Sequence, residues 1–255
     1  MNKKKAKGII LAGGLGTRLL PLTLSTNKHL LPIYNQPMIF YPIQTLLQAG
    51  ITEIMVVVSG PHAGSFVPVL KNGEDFGGIN KLVYAYQSKP DGGIADALSL
   101  AENFLDENPA VVVLGDNTTD ANISQAVKDF ETKINSKSNN PPLAKVFLKH
   151  VPNPQQFGVA TIDQNKITEI EEKPKNPKTD FAVVGLYLYD QNVFKFINQC
   201  KPSERGELEI TDVNNMYIKH GRLEWSELDG FWQDAGSFEN LFKANRYWAA
   251  KAGIK

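Results

Sequence analysis

The residues best placed by type and spacing to do chemistry stand at the end of a short apolar run. Leu11-Ala12-Gly13-Gly14-Leu15-Gly16-Thr17-Arg18-Leu19 sets three glycines and an arginine in one loop. Glycines let the backbone approach a ligand closely and aim N–H groups at it. The guanidinium of Arg18 then offers a fixed fork for phosphate oxygens. The same glycines also suit a tight turn with positive φ and no ligand, and the loop alone does not choose between the two. Spacing excludes two familiar phosphate loops. The dinucleotide fingerprint needs a third glycine where Leu19 stands, and no Gly-Lys-Ser/Thr run of the Walker type occurs. Further on, Lys28 in Thr26-Asn27-Lys28-His29-Leu30-Leu31-Pro32 either closes over the same phosphates or is a solvated loop lysine.

Two carboxylates follow. Asp116 ends the run Val111-Val112-Val113-Leu114-Gly115, and a carboxylate at the carboxyl end of a buried parallel strand sits where such sheets bind ligands. Asp234 lies in Phe231-Trp232-Gln233-Asp234-Ala235-Gly236, ahead of the last helical pattern. Brought together they would hold Mg²⁺, which takes one or two carboxylates plus substrate phosphates. Left apart, Asp234 is only a cap of the last helix. A second basic group comprises Lys173, in Glu171-Glu172-Lys173-Pro174, and Arg205, in the run from Ser203 to Asp212. Together they suit a second, smaller phosphate. Separately each reads as a solvated face or a cap, with Thr211 before Asp212 as a helix start. No Gly-x-Ser-x-Gly elbow is present. His29, His62, His150 and His220 do not pair at metal-ligand spacing, and Cys200 reads as packing or surface.

The elements that must position these residues alternate. Lys7–Ala12, Ile54–Ser59, Leu82–Tyr86 and Ala110–Leu114 read as buried strands. Between them lie helical patterns: Pro37–Ala49, the stretch Ile94 to Leu105, and Ile123 to Ile134. This predicts crossover units and a mainly parallel sheet. After a polar Ser/Asn/Pro loop over Ser136–Pro142 come strand-like segments at Ala144–Lys149, Val159–Ile162, Lys166–Ile170 and Phe181–Tyr189. A helical pattern covers Asn192–Gln199. The last helix is expected over Phe238–Ala250, with Phe238, Leu241, Phe242, Trp248 and Ala249 on one face. The fold expected is α/β: a Rossmann-like mixed, mainly parallel sheet flanked by helices, with a smaller β-rich lobe. One domain spans 1–255, with a nucleotide-binding half at 1–142 and a second half at 143–255.

The bulk properties fit. The chain has 255 residues, 42% of them hydrophobic and 21% charged, which is globular composition. Its 27 basic and 27 acidic residues cancel, which argues against nucleic acid or an acidic membrane as partner. With one cysteine there is no disulfide and no cysteine-based zinc cluster. No targeting segment or membrane span is recognised, so a cytoplasmic protein is expected.

These residues resemble one family, the sugar-1-phosphate nucleotidylyltransferases, and within it the shorter thymidylyltransferase members. The markers run in order along nearly the whole chain: Gly8–Leu19, Asn27–Pro32, Leu114–Asn117, Phe157–Val159, Glu171–Pro174, Gly206–Asp212 and Trp232–Gly236. The resemblance implies a nucleotidyltransferase fold akin to the glycosyltransferase-A type. It also implies transfer of a nucleoside monophosphate from dTTP to glucose 1-phosphate, with Mg²⁺ as cofactor and a homo-oligomer, commonly a tetramer. It implies that Leu11, Gly13, Gly14, Gly16 and Thr17 hold the nucleotide and that Arg18 and Lys28 bind its triphosphate. Gln87, with Gly92 or Gly93, would read the pyrimidine. Gly158, Glu172 and Val183 would contact the sugar, Lys173 and Arg205 its phosphate, and Asp116 and Asp234 the metal. Two departures bear on specificity. Pro90-Asp91-Gly92-Gly93-Ile94-Ala95-Asp96 carries an extra glycine, and Asp96 stands where Gln is expected, which leaves UTP open beside dTTP; a uridylyltransferase, or a nucleotidylyltransferase of another sugar 1-phosphate, is the alternative within the family. His29 replaces a Gln of many relatives. The short stretch after Asp234 predicts that the regulatory nucleotide site of longer members is absent or altered. A nucleotide-sugar sensor without catalysis and a dehydrogenase are the readings from other classes. A sensor has no need of the carboxylate pair, and a dehydrogenase lacks its third glycine.

Overall fold

Three of the apolar runs become parallel neighbours. In the computed structural model, which describes residues 3–136 and 143–254, strands Lys7–Ala12, Glu53–Ser59 and Lys81–Gln87 lie side by side. Gly8 to Ala12 pair with Ile54 to Val58, and Glu53 to Ser59 with Lys81 to Gln87. Ile9, Ile10, Ala12, Val56 and Val57 are buried, as expected of a sheet covered on both faces. The loop expected over Ser136–Pro142 lies, beyond Ser136, outside the described residues.

The chain divides into two compact units. The first comprises Gly8–Asp91, Val113–Ser124 and Asp229–Lys255. It holds the parallel strands, helix Phe40–Gln48, the short antiparallel pair Asn117–Thr119 with Trp232–Asp234, and the last helix, Phe238–Lys251. The helix expected from Pro37 starts instead at Phe40. Tyr34 adopts φ 55 and turns the chain back, so Gln36–Pro37 pairs with Pro32–Ile33 as a two-residue ladder. The Tyr41 hydroxyl donates to Ile33 O at 2.8 Å and fixes that turn against the helix. In the last helix the packed stripe is Leu241, Ala244 and Trp248, laid on Ile33, Met38, Tyr41 and Ala235. Phe238 and Phe242, expected on that face, are 43% and 62% exposed. The stripe follows i, i+3, i+7, which rotates Phe242 off it.

The second unit comprises Met1–Lys7, Gly92–Val112 and Gln125–Leu228. Strands Gly158–Asp163 and Lys166–Glu172 form a hairpin closed by Gln164 and Asn165, at φ 45 and 62, the left-handed pair that tight hairpins require. Phe181–Tyr189 pairs antiparallel with Gly158–Asp163 and with Ala144–His150, and Leu223–Glu227 joins the latter in parallel. The helical stretch Ile94 to Leu105 is split into Ile94–Ser99 and Glu102–Leu105. There the Ser99 hydroxyl donates to Asp96 O at 2.6 Å, a back-bond that competes with the helix ladder. Helix Ile210–Lys219 has Glu209 at its N-cap position, so Thr211, expected at the helix start, sits inside the first turn. The sheet is mixed and flanked by helices, as the sequence predicts, with its parallel order concentrated in the first unit.

Candidate active site

In the first unit the glycine loop leaves the carboxyl end of strand Lys7–Ala12, and Ser59 and Gln87 end the two strands beside it. Ligands of such sheets sit at these ends. Gly14 (φ 91) donates its N–H to the Ser59 hydroxyl at 2.8 Å. A Cβ on Gly13 would lie 2.8 Å from Gln87 Oε1 and 3.1 Å from Ser59 Oγ, so the two strand-end side chains close on the loop backbone there. Gly16 (φ 66) is packed against Thr23 and the stem of Lys28, and Thr17–Leu19 forms a 3-10 turn presenting Arg18 outward. Leu11 is buried, and its carbonyl accepts from Gly115 N at 2.8 Å, which holds the Asp116 segment beside the loop.

The four charged residues singled out in this unit come together. Lys28 Nζ donates to Asp116 Oδ2 at 2.5 Å, and Arg18 Nη2 stands 3.9 Å from Asp234 Oδ2. A Cβ placed on Gly236 would meet Arg18 Nη2 at 2.6 Å, Asp234 Oδ1 at 2.8 Å and Asp116 Oδ2 at 3.3 Å. Both carboxylates and the guanidinium therefore surround one backbone carbon. Asp234 Oδ1 also accepts from Gly236 N, and the last helix is capped by Ser237, so Asp234 is not its cap. Burial would raise the Asp116 carboxyl, but Lys28 beside it holds it below the ordinary carboxylate range. Burial and the Asp116 charge push the Asp234 carboxyl up, against Lys28 and Arg18. Two carboxylates that crowd each other at a strand end fit a divalent cation, which needs no more protein ligands when substrate phosphates complete its shell. No group of three or more His, Cys, Asp or Glu gathers among the described residues, so a closed, all-protein cage is not what this site offers.

Ser59 is not singled out by the sequence, and His29 is set apart there as a histidine without metal-ligand spacing and as a replacement for Gln. His29 is 1% exposed, and its Nδ1 lies 2.7 Å from Asn27 Oδ1. Burial first, then Lys28, lowers its pKa to about 3, so the ring is neutral. It also packs where a Cβ on Gly115 would be, 2.7 Å from His29 Cδ2. The signal for Ser59 was its place as the polar end of an apolar strand.

In the second unit a different cluster forms. Gly158 pairs with Glu172 across the hairpin. A Cβ on Gly158 would meet Thr211 Oγ1 at 3.3 Å and Glu172 Oε2 at 3.5 Å. Thr211 donates to Glu172 Oε2 at 2.6 Å. Lys173 (φ 45) has its ammonium 3.7 Å from Glu172 Oε1, and Arg205 Nη2 is 3.4 Å from the same oxygen. Val183 is buried, one residue past the Ala182–Val159 pair. Gly92 and Gly93, grouped with Gln87 by resemblance, belong to this unit, whereas Gln87 belongs to the first. Gly92 O accepts from Leu208 N at 2.9 Å. Gly93 (φ 92) must be glycine, since a Cβ would lie 2.5 Å from Leu208 O.

The sequence matches the nucleotidyl transferase family over residues 7–251. This chain belongs to that family. It is 43% identical over 242 residues to the glucose-1-phosphate thymidylyltransferase of Neisseria meningitidis, covering 93% of this chain and 81% of the relative. It is 38% identical over 245 residues to that of Mycolicibacterium smegmatis, covering 94% and 81%. A crystal structure of a Bacillus anthracis chain named as a glucose-1-phosphate thymidylyltransferase, in complex with sucrose, superposes with a TM-score of 0.87. It is 48% identical and covers 95% of this chain and 94% of that one. A UDP-glucose pyrophosphorylase at 21% identity shares the fold, with a TM-score of 0.80. The nucleotidyltransferase is thus an enzyme of a family whose fold and sequence markers it carries throughout. No helix among its described residues is long and apolar enough to cross a membrane.

Proposed function

We propose that this nucleotidyltransferase transfers a nucleoside monophosphate from dTTP to glucose 1-phosphate, giving dTDP-glucose and pyrophosphate. The observation that carries the reading is the convergence of Arg18, Lys28, Asp116 and Asp234 beside a glycine loop at the strand ends, in a chain 43% identical to an enzyme named for that reaction. An oxygen of the sugar phosphate attacks the α-phosphorus of the triphosphate. The bond from that phosphorus to the α–β bridging oxygen breaks, and pyrophosphate leaves with the electron pair.

The nucleophile is already an anion near neutral pH, so no general base is needed. The obstacle is bringing two anions into line, and catalysis is positioning plus charge neutralisation. Leu11, Gly13, Gly14, Gly16 and Thr17 hold the nucleotide, and the reading of its base is assigned to Gln87 with Gly92 or Gly93. Arg18 and Lys28 bind the triphosphate and stabilise the charge that collects on the departing pyrophosphate. Gly158, Glu172 and Val183 contact the sugar, and Lys173 and Arg205 hold its phosphate. Asp116 and Asp234 hold Mg²⁺, which when bound supplies further positive charge to the triphosphate. The test is pyrophosphate release with glucose 1-phosphate and Mg²⁺, run in parallel with dTTP, UTP, CTP, ATP and GTP. Preference for dTTP supports the reading, preference for UTP moves the product to a UDP-sugar, and silence with all five removes it.

A further inference from the structure

Arg205 is on the surface, yet it is not a loose surface arginine. Its guanidinium is held by Glu209: Nη2 donates to Oε1 at 2.8 Å and to Oε2 at 2.9 Å, and Nε donates to Oε1 at 3.2 Å. The carboxylate that holds it is itself fixed. The Glu209 side chain is 10% exposed against 38% for Arg205, and its Oε1 also accepts from the Ser203 hydroxyl at 2.7 Å. Glu209 is the N-cap residue of helix Ile210–Lys219, but its side chain makes no cap hydrogen bond and turns to Arg205 instead. The loop between them is closed by its own backbone, Ser203 N to Glu207 O at 2.9 Å and Gly206 N to Ser203 O at 2.8 Å. That loop is tied in turn to the segment before helix Ile94–Ser99 through Leu208. Glu172 and Glu207 stand farther from Arg205 Nη2, at 3.4 and 3.6 Å.

We infer that Glu209 is the positioning residue for Arg205, setting its guanidinium in the orientation that receives the phosphate of the sugar substrate. Two effects of the carboxylate oppose each other. It spares the arginine the loss of rotamer freedom that binding an anion would otherwise exact. It also offers the guanidinium a competing anion. Geometry favours the first. Nη1 makes none of the Glu209 contacts, so one edge of the fork is occupied and the other is left to present. The inference rests on the proposed role of Arg205, and the experiment separates the two.

Steady-state kinetics of the full chain with glucose 1-phosphate and dTTP would compare wild type, Glu209→Ala, Glu209→Gln, Arg205→Ala and the Arg205→Ala/Glu209→Ala double variant. The expected result for Glu209→Ala is a rise in KM for glucose 1-phosphate of about tenfold or more, the scale of couplings between groups in contact, with KM for dTTP unchanged. Glu209→Gln keeps one accepting oxygen but loses the charge and the second acceptor, so its KM for glucose 1-phosphate rises by less than that of the alanine variant but still measurably, which covers the case in which the alanine variant fails to fold. In the Arg205→Ala background the Glu209 substitution adds nothing. An unchanged or lowered KM for glucose 1-phosphate in Glu209→Ala or Glu209→Gln would overturn the inference, as would an undiminished effect in the Arg205→Ala background. An Arg205→Ala enzyme with wild-type KM would instead remove the proposed role of Arg205, and the inference with it.

Discussion

Lys28 and Asp116, 88 residues apart in the chain, meet at 2.5 Å beside the glycine loop. Asp116 is buried, and the ammonium is what keeps its carboxylate charged there. A buried carboxylate bound to lysine would ordinarily be a structural ion pair. Here Asp234 and Arg18 stand around the same backbone carbon at Gly236, so the pair belongs to a cluster of two cations and two anions. Such a cluster is neutral by itself, and under the proposed function its internal contacts would give way to a polyphosphate and a metal ion.

Asp116→Asn and Arg18→Ala are therefore expected to lower kcat/KM by about a hundredfold or more, the scale found for removing one preorganised electrostatic contact. Arg18 is exposed, so its loss leaves thermal unfolding unchanged. Circular-dichroism melts alongside the pyrophosphate assay check both halves. Near-wild-type turnover in either variant would contradict the assigned roles. Chelation of divalent cations is expected to abolish turnover, and Mg²⁺ to restore it.

Gly236 offers a test of geometry without touching a charged group. A methyl there meets Arg18 Nη2 at 2.6 Å and Asp234 Oδ1 at 2.8 Å. The arginine tip can move at little cost, but the short aspartate is also bonded to Gly236 N. Gly236→Ala is expected to keep the fold and cut turnover about tenfold or more, since small misplacements of catalytic groups are costly. An alanine variant with full activity would show that the cluster is not held in its working arrangement.

Acid sensitivity follows from His29. Its folded pKa, about 3, is depressed below the unfolded value of 6.5. The unfolded chain thus takes up a proton that the folded chain refuses. The stability tied to the neutral ring is complete above pH 6.5 and is lost as pH falls toward 3, by at most about 1.4 kcal/mol per pH unit. Asp116, also depressed, adds to the loss only at more acid pH. Urea unfolding between pH 7.5 and 4.5 should show this slope, and His29→Gln should flatten it. Parallel curves for the two proteins would refute the assignment.

Gly93→Ala is a stability prediction in the second unit. At φ 92 and ψ 172, a region essentially reserved for glycine, an L-residue is strained by about 1–3 kcal/mol, and the new methyl would stand 2.5 Å from Leu208 O, a backbone atom that cannot swing aside. The variant should unfold several degrees lower than wild type by calorimetry. An unchanged midpoint would mean that the Leu208 segment is free to shift.

Strands were legible because their apolar runs are short and bounded: Lys7–Ala12, Ala110–Leu114 and Phe181–Tyr189 are found at the expected bounds. Helix ends were less so. Pro37 looks like a helix start by type, but the turn at Tyr34 draws it into a ladder, and nothing local announces that. The charged residues of the site were legible by type and by resemblance. What sequence could not supply is who touches whom: that Glu209 turns from its helix to Arg205, that Ser59 holds Gly14, or that His29 fills the place of a Gly115 side chain. Each depends on a contact between segments far apart in the chain or on the direction of one side chain.

The most direct measurement of the central claim follows the oxygen atoms. Glucose 1-phosphate carrying heavy oxygen on its phosphate would be incubated with dTTP, Mg²⁺ and the enzyme, and the products weighed by mass spectrometry. The expected result is dTDP-glucose containing all of the heavy oxygen and pyrophosphate containing none. Heavy oxygen in the pyrophosphate, or no nucleotide sugar at all, would contradict attack of the sugar phosphate on the α-phosphorus.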